Sequence, residues 1–216
     1  MIEYIEFEEG ARALAECCSR LDGSPSWEWL ASSRKESLED SGCLAVKHVI
    51  YLDKNLELPQ EKEEECDQQE DEAGMKALPS GIDSHFYDFH VIYSHSYRVP
   101  VLWFRGQTPD GTPLGFTQIL QDFPQLRSAV ERMSGDSAAV SANEHPLLHT
   151  PWYFVHPCQT PSFMSLLLKE QRHPADSEGK GGGERKGLNF LVSWFSVVLP
   201  AFGLQPPNID NAHNAT

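Results

Sequence analysis

The sequence predicts an α+β domain on three observations: an amphipathic helix near the N-terminus, a middle third of bulky strand-forming runs, and helical segments toward the C-terminus. With 216 residues the chain exceeds an average domain of about 150, so one domain with insertions is the simplest organisation. Hydrophobic residues make up 40% and aromatics 10%, enough for a sizeable core.

From Phe7 to Leu21, the positions Phe7, Ala11, Leu14 and Cys18 recur at helical intervals and form one apolar stripe, which Gly23 and Pro25 stop. Trp27 and Trp29, then Cys43 to Leu52, are rich in aromatic and β-branched residues and read as a first strand pair. Phe86 to Tyr97 and Val101 to Phe104, with Pro100 at a strand start, read as the sheet centre. The run Thr108-Pro109-Asp110-Gly111-Thr112-Pro113 supplies proline and glycine for a turn, after which Phe116 to Phe123 looks helical. Pro146, Pro151 and Pro157 keep the segment from Leu147 to Cys158 extended, as a surface or edge strand. Pro161 to Gln171 reads as a helix, Ala175 to Gly187 as a loop, and Leu188 to Phe202 as a buried final helix. Residues 205–216 read as a flexible tail.

The net charge of −15 is concentrated. Between Glu57 and Ala73 nine acidic residues stand against Lys62 alone, so that stretch carries −8 and the remainder −7. Such a run buries nothing and reads as an acidic insertion over residues 57–82, solvated rather than catalytic. No basic stripe is available to neutralise phosphates, which excludes nucleic acid as a partner. The longest apolar stretch, Leu188 to Leu204, is broken by Pro200 and Gly203, and Met1 to Gly10 is acidic, so neither stable membrane insertion nor a signal peptide is expected. Five cysteines (Cys17, Cys18, Cys43, Cys66, Cys158) without paired spacing fit reduced thiols and a cytoplasmic protein.

Chemistry concentrates in His156-Pro157-Cys158-Gln159-Thr160-Pro161. Thr160 is a favourable N-cap and Pro161 a favourable first helical residue, which sets Cys158 ahead of a helix N-terminus. A helix N-terminus favours thiolate over thiol, and a stabilised thiolate is both nucleophile and leaving group, the two properties a thioester carrier needs. Three other readings stay open on these residues alone. Cys158 is readable as a small buried core residue. His145, His149, His156 and Cys158 are four competent zinc ligands, though not at a standard spacing. His145 or His149 is a candidate base for a cysteine hydrolase.

A resemblance narrows these. The run Tyr87 to Phe104 (YDFHVIYSHSYRVPVLWF), the turn Asp110 to Leu114, Glu144-His145-Pro146 and Val155-His156-Pro157-Cys158 resemble, in that order, the conjugating enzymes of autophagy. Ser26-Trp27-Glu28-Trp29 and Asn189 to Leu204 add to the likeness, which spans most of residues 86–204. It implies a fold like the ubiquitin-conjugating enzymes with extra strands, Cys158 as glycyl thioester carrier, and no metal or small cofactor. In the branch that serves a protein target, autophagy ubiquitin-like protein 12 passes from activating autophagy-related protein 7 to a lysine of autophagy-related protein 5. The other branch transfers a ubiquitin-like protein to phosphatidylethanolamine and carries a basic amphipathic helix; Phe7 to Leu21 lacks that basic face, which favours the protein target. A non-catalytic binding module of the same fold is the alternative from a different class. The familiar oxyanion-assisting His-Pro-Asn tripeptide is missing, leaving Asn143 and His156 as candidate supporting residues. Trp103, Tyr153 and the sheet edge are candidate partner contacts, equally readable as core.

Overall fold

The computed structural model of the chain describes residues 1–20, 26–31, 42–53, 82–132, 139–160 and 182–207. Its centre is a six-stranded antiparallel sheet of β1 (Glu28–Leu30), β2 (Cys43–Asp53), β3 (Ile82–Ser94), β4 (Val99–Gln107), β5 (Val140–Glu144) and β6 (Pro151–Val155), in the order β1-β2-β3-β4-β6-β5. Around it lie α1 (Tyr4–Ser19), α2 (Phe116–Asp122), α3 (Pro124–Arg132) and α4 (Gly182–Val198), with 3-10 turns at Pro157–Gln159 and Leu199–Phe202. The architecture is the expected α+β fold, consistent with a ubiquitin-conjugating-like domain.

Alternation along the strands decides which side is core. Tyr87, Phe89, Val91 and Tyr93 of β3 join Leu102 and Phe104 of β4 in the main cluster, with the apolar residues of the helices. The even positions His90 and Ile92 face the other side, where Cys43, Val101, Trp103 and Trp152 form a second, smaller cluster. In the main core Phe89, Phe104 and Phe123 surround Phe202, with ring centroids 4.9–5.4 Å from it. The 3-10 turn after α4 is thereby pinned to the sheet.

α1 buries the stripe its spacing announces, Phe7, Ala11, Leu14 and Cys18. It begins earlier than Phe7 because the Glu3 N–H donates to Glu6 Oε2 at 3.0 Å, capping the first turn. The stop residues Gly23 and Pro25 lie outside the described residues. α4 also begins before its expected start: residues 182–187, read as loop from their glycines, are helical. The glycines are there for contact. A Cβ on Gly187 would stand 1.8 Å from the Glu6 carbonyl oxygen, and one on Gly10 would stand 2.3 Å from Gly187 C, so α1 and α4 touch backbone to backbone.

Two elements exceed the expectations. α3 extends the helical region past Phe123, and β5 lies outside β6, so the segment leading to Cys158 is extended but interior rather than an edge. The turn at Thr108–Pro113 forms as read, with Gly111 at φ 86° and the Asp110 carboxylate accepting the Thr112 N–H. The helix expected over Pro161–Gln171 and residues 175–181 of the expected loop lie outside the described residues. So do Cys66, nearly all of the acidic insertion and most of the tail.

The N-terminus straps the β3–β4 turn, a detail that matters for the site. Ile2 N–H donates to Arg98 O at 3.2 Å, Tyr93 OH donates to Ile2 O at 2.8 Å, and the Arg98 guanidinium pairs with Glu3. Arg98 holds φ 54°, a left-handed conformation that costs a residue with Cβ about 1 kcal/mol, and these contacts offset it.

Candidate active site

β6 ends at Val155, and the chain then turns tightly through Pro157–Gln159, placing Cys158 half-buried at the end of an interior strand. His156 has extended backbone (φ −66°, ψ 126°), and its Nδ1 accepts the Cys158 N–H at 3.2 Å. It is the cap of this turn. Thr160, expected as the N-cap of a helix from Pro161, has helical backbone (φ −58°, ψ −46°) and closes this turn, while the helix itself lies outside the described residues. His156 caps the turn because Pro157 presets φ and has no N–H, so the turn starts there and the Cys158 N–H is the donor that the imidazole takes. His156 was expected as a donor; at Nδ1 it is an acceptor. The neutral ring then carries its proton on Nε2, which is left to donate elsewhere.

Tyr97, at the tip of the β3–β4 turn, sets its ring edge-on to His156 with centroids 5.9 Å apart, and Phe154 approaches the imidazole at 6.2 Å. Sequence reasoning passed over Tyr97. Sixty-odd positions before Cys158, it reaches the site only through the hairpin that returns β4 beside β6, and no local spacing signals that.

His145 is fully buried. Its Nδ1 accepts the amides of Leu147 and Leu148, each at 3.1 Å, so its single proton sits on Nε2, 3.0 Å from His90 Nδ1. Trp152 packs on both rings, with centroids 4.5 Å from His145 and 4.6 Å from His90. Burial pushes the His145 imidazole down to about 3 and His90 down to about 4. His149, at the same turn, is exposed and pairs with Glu144 at 2.7 Å.

These partnerships undo two readings of the sequence. His145, His149, His156 and Cys158 do not converge, and among the described residues no group of three potential ligands that could hold a metal ion forms. The hydrolase reading needs an imidazole free to take a proton, and His145 is instead committed to two amides and a second ring. Asn143 is not gathered to the site either. It faces Trp152 in the β5–β6 register, three residues beyond the Val140–Val155 pair, so ~10 Å of strand separates it from the Cys158 end. Its Oδ1 accepts the adjacent Glu144 N–H at 2.8 Å. Trp103 is buried at 8% exposure, and Tyr153 packs against Phe104 and Phe116, so both belong to packing.

The remaining described cysteines are poor nucleophiles. Burial pushes the Cys43 thiol up to about 12 and raises Cys18 and Cys17 as well. At the far end of β3, Asp122 accepts from His85 at 2.7 Å and from the Tyr87 hydroxyl, tying α2 to the sheet. An adjoining cleft of about 190 Å³, lined by His48, Asp122, Phe123 and Gly203 among others, does not reach Cys158.

Residues 6–209 match the family model described as autophagocytosis associated protein, active-site domain. The chain belongs to this family. Among autophagocytosis-associated proteins it is 31% identical to the ubiquitin-like-conjugating enzyme ATG10 of Arabidopsis thaliana over 193 residues, 85% of this chain and 82% of that protein. It is 35% identical to ATG10 of Homo sapiens over 121 residues, 56% of this chain and half of the human protein. It is also 31% identical to autophagy-related protein 3 of Pichia angusta over 156 residues, 68% of this chain and 40% of that protein. With its family's active-site domain present nearly throughout, the chain is a ubiquitin-like-conjugating transferase of the autophagy type. Among the described residues no helix is long and apolar enough to cross a membrane.

Proposed function

We propose that Cys158 accepts autophagy ubiquitin-like protein 12 from autophagy-related protein 7 as a glycyl thioester and passes it to a lysine of autophagy-related protein 5. The observation that carries this reading is the setting of Cys158: a half-buried thiol in a His-capped turn at the end of an interior strand, while Cys18 and Cys43 are buried in the two cores. In the first step the Cys158 thiolate attacks the modifier's glycyl carbonyl, forming a new C–S bond as the activating enzyme's cysteine leaves as thiolate. In the second, a neutral lysine Nζ attacks the same carbonyl, the amide forms, and the C–S bond breaks with Cys158 leaving; the proton shed by nitrogen goes to solvent or a nearby base. No metal enters either step. A reducing, cytoplasmic setting suits a carrier thiol.

His156 and Tyr97 are the proposed positioning groups. Nε2–H of His156 is available to the oxyanion that develops on the carbonyl, and the Tyr97 ring holds the imidazole against rotation. Asn143, expected as an alternative helper, has no such access in this geometry. The match to autophagy-related protein 3 keeps transfer to phosphatidylethanolamine as the second reading.

The test is a non-reducing gel after mixing the protein with each autophagy modifier, the activating enzyme and ATP, for wild type, Cys158→Ala and Cys158→Ser. The expected result is a thiol-sensitive adduct on wild type, none on the alanine variant and a thiol-resistant adduct on the serine variant. Discharge to the protein target, and not to phosphatidylethanolamine vesicles, separates the branches. A failure of every modifier to load would leave a non-catalytic binding module as the better description.

A further inference from the structure

Strand β5 is the outer edge of the sheet on the Cys158 side, and among the described residues nothing pairs with its outer side. Its register shows which groups face outward. His156 N–H donates to Ala139 O at 2.9 Å, and His145 N–H donates to Thr150 O at 2.8 Å. Antiparallel ladders alternate bonded and non-bonded pairs, so the odd residues Ala139, Ser141, Asn143 and His145 bond toward β6. The even residues Val140, Ala142 and Glu144 therefore direct their N–H and C=O groups away from β6. Ala142, Asn143 and Glu144 are exposed. Among the described residues, the outward donor of Glu144 has a protein partner, the neighbouring Asn143 Oδ1, and those of Val140 and Ala142 have none.

Polarity selects the occupant of such an edge. β6 runs toward Cys158 and β5 runs away from it, so a peptide adding antiparallel to β5 runs toward Cys158 and brings its C-terminus there. A parallel peptide would bring its N-terminus instead. Resting on the thioester reading above, which requires a C-terminal carboxyl at Cys158, we infer that the extended C-terminal tail of the ubiquitin-like modifier docks as a seventh strand on β5. Main-chain hydrogen bonds to Val140 and Ala142 hold it. Successive tail residues then advance about 3.4 Å each along the edge, and the last residues cross from Val140 to the turn that carries the thiol. The Asn143 side chain, on Glu144 N–H, marks the far limit of the ladder.

Amide exchange followed by NMR tests this on the Cys158→Ser protein, whose ester with the modifier survives, compared before and after loading with the activating enzyme and ATP. The expected result is a slowing of about tenfold or more at the Val140 and Ala142 amides, with Ser141 and Asn143, already bonded to β6, little changed. Ala142→Pro removes an outward donor that the β6 ladder does not use, and is expected to lower the loading rate of the Cys158 protein up to about tenfold while Ala142→Gly loads normally. An ester that forms with unprotected Val140 and Ala142 amides overturns the docking and leaves the thioester reading intact. Protection produced by the free target protein alone also overturns it. No ester at all sinks both.

Discussion

Acidification reads out the two-imidazole chain beneath Trp152. In the folded protein His145 titrates at about 3 and His90 at about 4, against 6.5 for an ordinary imidazole. Protonating His145 would put a second N–H against the amides of Leu147 and Leu148, which adds a local cause to burial. The sign follows from linkage. Above pH 7 both states hold these rings neutral and nothing is lost; as pH falls through 6.5 the unfolded chain takes up protons that the folded one refuses, so stability drops. At pH 5.5 the unfolded state gains more than about 1 kcal/mol from each ring, so the pair removes a few kcal/mol from a total of order 5–15 kcal/mol. His48, lowered by burial, acts in the same direction. Urea denaturation at pH 7.5 and 5.5 measures this in a window where most carboxylates stay ionised. His145→Asn retains an acceptor for the two amides but loses one titrating group, and should show about half the loss. Equal stability at the two pH values, within about 0.5 kcal/mol, or an undiminished loss in the variant, would refute the assignment of neutral, mutually bonded rings.

Two further outcomes are expected. Gly187→Ala drives a methyl into the Glu6 carbonyl at 1.8 Å, so α1 and α4 must separate; a loss of about 2–3 kcal/mol, seen as a lower thermal midpoint, is expected, and a neutral result would contradict the crossing. Tyr97→Phe keeps the ring beside His156 and should discharge the modifier at close to the wild-type rate, whereas Tyr97→Ala should slow discharge several-fold with loading unaffected; a single-turnover lysine-discharge assay separates the two.

The sequence displayed its long elements and hid its joints. The stripe Phe7, Ala11, Leu14, Cys18 and the bulky runs of β3 and β4 were legible because burial imposes a period on one chain segment. β5, Val-Ser-Ala-Asn-Glu, has little strand propensity of its own and exists because β6 offers it a ladder. The start of α4 was unreadable for the opposite reason: Gly182, Gly183 and Gly187 argue locally against helix, and the backbone approach of α1 explains Gly187. At the site, the proline before Cys158 announced a turn, and the structure has one there. The turn that His156 caps went unread because histidine is an unusual capping residue, and Tyr97 was invisible because three strands, β4, β5 and β6, lie along the chain between it and the thiol.

The hairpin between β2 and β3 leaves the sheet at Asp53 and re-enters at Ile82, and these two residues are register partners. The chain leaves and re-enters the sheet on a single rung, so the β2–β3 pairing fixes both ends of the connection. For a flexible loop closed on one rung, doubling its length costs only about 0.6 kcal/mol in closure entropy. Because its two ends meet on one rung, a reporter spliced between Asp53 and Ile82 would leave from and return to adjacent backbone, two strands away from the strand that carries the thiol.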